Sequence, residues 1–249
     1  MNVGRGRFTR AVCLVWVSLV AATVQATETL MFGYSYHGPP FHIGSDQVLE
    51  AGIVKDVSLA IADALSAKAD FVNVPVKRVD QIMDSGKVDV LCMYHPHWVK
   101  RPDTYVWGPA IFHYREMYVA TKDNELEAFD QLKGKVIGTN LGYEYGARTM
   151  QMFNSGQANR LEMVETSRLY ELLGLRRINA LIDSEVSFYY LRKLGLIDRQ
   201  LMLSELEDAA YDLSCAINRK ARLPAAKIVQ AMSDLKAQGV FENIYSRYR

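Results

Sequence analysis

The chain has 249 residues, with 29 Lys and Arg against 28 Asp and Glu, a formal net charge of +1 and 49% hydrophobic residues. That near-neutral balance excludes the basic surface of a nucleic-acid binder, and three cysteines in so long a chain exclude a disulfide framework. The length suits one large domain or two smaller ones with real cores.

The opening "MNVGRGRFTRAVCLVWVSLVAATVQATETL" sets Arg5, Arg7 and Arg10 before an apolar run from Ala11 to Ala22, with Val24 and Ala26 ahead of the expected cut. This is the layout of a secretory signal peptide over residues 1–26. The run is about 12 residues, too short to cross a hydrocarbon core of roughly 30 Å as a stable helix. Cys13 lies inside it, so no cysteine stands at the cut to take a lipid. The protein is therefore expected to be soluble and periplasmic, with Cys92 and Cys215 as its remaining thiols.

After the expected cut, strands alternate with helices. "TLMFGYS" predicts a strand leading into "YHGPPFHIGSD", where Gly38, Pro39 and Pro40 forbid regular structure. "GIVKDVSLAIADALSAK" carries Val57, Ile61 and Leu65 at helical spacing beside Ala60 and Ala64. "DFVNVPV" predicts a strand, "RVDQIMDSGK" a short helix closed by Gly86, and "VDVLCMY" a buried strand. This alternation argues for an α/β fold with a mainly parallel sheet covered by helices. "EMYVATK" and "KVIGTN" then read as strands, and "GYEYGARTMQMFNSG" as a helix after a glycine turn. "LEMVE", "RLYELLGLRR" and "INALID" give strand, helix and strand. "SFYYLRKLGL", "YDLSCAIN" and "AAKIVQAMSDLKAQG" complete the pattern, with Ile228, Met232 and Leu235 on one face of the last helix. Two α/β units of similar size result, and a ligand site belongs between them, at strand C-terminal ends and helix N-termini.

Taken in order, "GYSYHGPPF", "GIVKDVSLAIADAL", "SGKVDVLCM", "KRPDTYVWGPAIF", "LKGKVIGTNLGYEYG", "LLGLRRINALIDSE" and "LPAAKIVQAMSDLKAQGVFENIYSRY" resemble family 3 of the extracytoplasmic solute-binding proteins, which serve polar amino acid uptake. The resemblance implies a two-lobed, type II periplasmic-binding-protein-like fold: lobe one of residues 27–112 and 210–249, lobe two of residues 113–209, and a cleft between. It implies capture of an amino acid or related zwitterion by hinge closure, by a protein acting as a monomer, for delivery to an ABC permease. Presentation to a membrane sensor is an alternative.

Residue roles follow from the same resemblance. Arg101 matches the family arginine that grips the ligand α-carboxylate, a task suited to a planar guanidinium; a solvated ion pair with a neighbour such as Asp103 is the competing reading. The turn around Gly142 and Tyr143 matches one that gives backbone N–H groups to that carboxylate at a helix start, although such a turn is also ordinary punctuation. Asp183 matches the aspartate that receives the α-amino group, and capping the following helix is its alternative role. Tyr94 replaces a small hydroxyl residue, and Tyr36 and Phe41, with Tyr34, stand where the family places an aromatic lid. These rings suit a cage for a cationic or aromatic group, or else packing under a loop.

No nucleophile elbow, P-loop or cofactor motif is present, and the "HPH" of His95 and His97 lacks further metal ligands nearby. Binding without catalysis, cofactor or metal is expected. An enzyme on the same fold would need a general acid, for which Glu144, Glu185 and His95 are the candidates. In the resembled fold "YDLSCAIN" lies antiparallel beside "VDVLCMY", which makes a Cys92–Cys215 disulfide one outcome and two buried thiols the other.

Overall fold

In the computed structural model, which describes Met1, residues 27–45 and residues 47–249, the chain alternates between strands and helices. The signal segment expected at residues 1–26 lies outside the described residues, Met1 apart. The first segment gives β1 (Thr29–Tyr34), the hairpin β2 (Ile43–Ser45) and β3 (Val48–Ala51), α1 (Ile53–Ala64), β4 (Lys68–Asn73), α2 (Val79–Asp84), β5 (Val90–Tyr94) and β6 (Tyr105–Trp107). The middle gives β7 (Phe112–Thr121), β8 (Val136–Asn140), α3 (Ala147–Asn154), β9 (Asn159–Met163), α4 (Thr166–Gly174), β10 (Ala180–Ser184) and α5 (Glu185–Lys193). The long β11 (Leu201–Asn218), α6 (Ala225–Ala237) and α7 (Val240–Ser246) close the chain.

Apart from the β2–β3 hairpin, the described strands form one continuous sheet in the order β4-β1-β5-β11-β7-β10-β8-β9, with β6 also on β11. Both flanks are parallel, β4 and β5 on β1, and β10 and β9 on β8. The middle is antiparallel, because β11 pairs with both β5 and β7, and β7 pairs with β10. Parallel flanks fit strands buried on both faces, as the fully buried Leu30, Phe32, Val90 and Leu91 are.

Four apolar clusters fill the interior. Two are built mainly from residues before Phe112 and after Leu213, around Phe32, Ile61, Met232 and around Met83, Leu91. The other two lie between Tyr118 and Leu206, around Ile137 and around Leu169, Leu181. The stripe on α1 is buried through Val54, Val57 and Ile61, and α6 buries Ile228, Met232 and Leu235. The first N–H groups of α1, which no helical carbonyl can reach, donate to Pro40 O (2.9 Å) and Phe41 O (3.1 Å), fixing the loop that carries Phe41.

Cys92 and Cys215 face each other across β5 and β11 and are joined by a disulfide, S–S 2.05 Å. Beside it the ladder slips, since Ser214 pairs with Tyr94 and Cys215 with Cys92, leaving Met93 as an extra residue with φ 60°. A bulge of this kind re-aims the side chains that follow it.

Candidate functional site

A cavity of about 270 Å³ opens where the ends of β5, β8 and β10 meet β7, near the place where β11 crosses the sheet. Regular strands send successive side chains to opposite faces, yet Met93 and Tyr94 both line it, and the bulge at Met93 accounts for this. The turn Pro96–Trp98 adds His97 and Trp98, and the loop after β1 adds His37 and Phe41. On the facing side stand Tyr114 and Glu116 of β7, Gly142 to Tyr145 of the loop before α3, and Ile182 to Ser184 of β10.

The polar groups here are buried and mostly tied down. The Tyr94 hydroxyl bonds that of Ser35 at 2.7 Å, and burial pushes the phenol up to about 12. Asp183 accepts from the Tyr170 hydroxyl (2.9 Å) and from Ser184 N–H (2.7 Å). Burial outweighs those bonds and raises its carboxyl to about 6. Glu116 is 5% exposed and accepts from the Tyr114 hydroxyl at 3.2 Å through Oε1. Its Oε2 has no hydrogen-bond partner among the described residues. Burial, then the charges of Asp208 and Asp183, raise this carboxyl to about 8 despite the Tyr114 bond. Across the cavity mouth His37 Nδ1 hydrogen-bonds the Tyr143 hydroxyl. Burial, with the nearby His42, lowers that imidazole to about 4, so at neutral pH it is uncharged.

Of the residues picked from the sequence, Asp183, Gly142, Tyr143, Tyr94 and Phe41 come together at this cavity. Arg101 is not among the lining residues. Its side chain is 53% exposed and pairs with Asp84, at the end of α2. Neither expected backbone donor is free. Gly142, at φ +80°, gives its N–H to Glu162 Oε1 (3.3 Å), and Tyr143 gives its own to Asn140 O (3.3 Å). Tyr36 is not in the lining and packs edge-on against His42, ring centroids 5.0 Å apart.

Glu116 is the main residue that sequence reasoning missed. Tyr114, Glu116 and Tyr118 share one face of β7 by their spacing of two, and an acid between two aromatics on a strand was the available signal. Glu144 lines the cavity, whereas Glu185 is engaged by Arg115 (3.6 Å) and Arg249 (3.3 Å) and His95 packs at a tilt against Tyr211 outside the lining. Among the described residues no three His, Cys, Asp or Glu side chains are grouped to hold a metal ion, and no helix is long and apolar enough to cross a membrane.

The sequence model described as bacterial extracellular solute-binding proteins, family 3, matches residues 30–249. No curated protein matches the chain. An ancestral arginine-binding protein bound to arginine superposes with a TM-score of 0.71 at 19% identity, covering 90% of this chain and 99% of the other. The GluR0 ligand-binding core in complex with L-glutamate gives 0.72 at 17%, covering 90% and 99%. The ancestral amino acid-binding protein AncCDT-1, a precursor of cyclohexadienyl dehydratase, gives 0.69 at 16%, covering 88% and 95%. At these identities the likeness is one of fold, that of the type II periplasmic binding proteins.

Proposed function

Since this chain belongs to family 3 of the bacterial extracellular solute-binding proteins, we propose that it captures a small polar solute of amino-acid size by hinge closure and hands it to an ABC permease. The lobes are residues 27–112 with 210–249, and residues 113–209, with residues 1–26 directing export to the periplasm. The observation that carries this reading is a cavity walled from both lobes, by Met93, Tyr94 and Trp98 on one side and Glu116, Tyr143 and Asp183 on the other. A solute touching both walls favours the closed form, and its preference for that form sets the shift.

Delivery to a sensor instead of a permease is the second reading, supported by the fold's use as a ligand-binding core in GluR0. Native mass spectrometry of freshly purified protein is expected to find a retained small molecule, released chemically unchanged, with X-ray scattering showing contraction when it is added back. A product differing from the added compound would replace capture by catalysis.

A further inference from the structure

Several groups that could hold a ligand carboxylate in or near this cleft are engaged by the chain's own acids. Arg101 is paired with Asp84 at the surface. The Gly142 N–H donates to Glu162, and the N–H of Gly146, at the start of α3, donates to Asp208 Oδ2 at 2.7 Å. That helix end would otherwise attract an anion. Space confirms the fit at Gly146, where an added Cβ would lie 2.4 Å from Asp208 O. Of the lysines and arginines, Lys77 alone is among the described lining residues, and it is exposed, beside Gly142.

The opposite charge is in surplus and deeper. Glu116 is buried with Oε2 unpartnered, and Asp183 reaches the same cavity from the neighbouring strand, where Ser184 pairs with Glu116. Neither carboxyl has a cationic side chain among the partners described for it. A buried carboxylate without a counter-charge is unfavourable, and an organic cation would supply one. The rings of Trp98, Tyr114 and Tyr143 line the same cavity, and aromatic rings attract a cation.

We propose that the cleft selects a small organic amine that carries positive charge and no carboxylate, with Glu116 and Asp183 holding its cationic nitrogen. This rests on the solute-capture reading and narrows the ligand class within it.

The test uses pairs differing by one carboxylate: cadaverine with lysine, agmatine with arginine, tyramine with tyrosine. Calorimetry and thermal shift on the purified full chain are expected to show one amine binding at least about tenfold more tightly than its parent amino acid. Glu116→Gln is expected to weaken that amine at least about tenfold, with the unliganded melting midpoint unchanged or higher. Arg101→Ala leaves amine binding as it was. Tighter binding of the amino acids, abolished by Arg101→Ala, would overturn the amine assignment and leave solute capture standing. So would binding of neutral or anionic solutes with every amine inert. If no small solute from a broad metabolite panel bound at all, both readings would fall.

Discussion

Glu116 and Asp183 make the cavity a proton-linked site. Both carboxyls are raised above their ordinary range, to about 8 and about 6, chiefly by burial and, for Glu116, also by the charges of Asp208 and Asp183. An acid whose pKa is higher folded than unfolded stabilises the fold fully below its unfolded value, about 4, and loses that contribution as pH rises through the folded value. The unliganded melting midpoint should therefore fall between about pH 5 and about pH 8, by a change on the order of 3 kcal/mol, and Glu116→Gln should flatten the upper part of that slope. His37, lowered to about 4 in the fold, works the other way below its unfolded value of about 6.5, so it offsets part of that fall at the acid end of the window. Cation binding should show the reverse trend. Affinity should rise through the same range, with proton release visible as a dependence of binding heat on the buffer's ionisation enthalpy. At the surface, Arg101→Ala should move the unliganded midpoint little, because an exposed pair contributes little; a thermal scan reads it directly. The sequence disclosed Asp183, Tyr94, Tyr143 and Phe41, whose positions follow from strand ends and the loop after β1. It did not disclose the pairing of Arg101 with Asp84, because counting along the chain cannot see a carboxylate 17 residues away. It was silent on Glu116, because a strand acid reads as solvent-facing until the face it shares with Tyr114 is known to be inward.

Among the elements, β5 and β11 matter most to the site. The bulge at Met93 turns two consecutive side chains into the cavity, and the Cys92–Cys215 disulfide fastens the strands beside it. The link joins residues 123 apart, and closing so long a loop restricts the unfolded chain strongly. Replacing both cysteines by serine should cost about 2–5 kcal/mol, read as a lower urea midpoint with a steeper slope, since the unlinked chain unfolds to a more open state. Most helices and the parallel flanks were legible in the sequence because apolar spacing reports burial directly. Two features were not. The first half of β11, "LMLSELEDAA", is acid-rich with few β-branched residues, and it is strand because it pairs with β7. The antiparallel middle of the sheet is likewise set by pairing between distant segments, on which local pattern has no bearing.

At the scale of the whole molecule, His37 and Tyr143 are in contact across the cavity, one from each proposed lobe. Tyr143→Phe removes the hydroxyl while keeping the ring. The unliganded protein should then shift toward an open form, seen as a larger radius of gyration in X-ray scattering, with weaker ligand binding in proportion to the closed population lost. The path between the proposed lobes runs through β7 and β11, paired from Phe112 to Thr121 and interrupted at Leu203/Glu207 and Glu207/Ala209. A laddered ribbon of this sort behaves as a leaf spring and not as a pair of slack cords: it resists twisting and yields at its flaws. The two halves should thus swing about a single axis near Glu207, and a membrane protein touching the outer rim would meet one well-defined silhouette when the cleft is loaded.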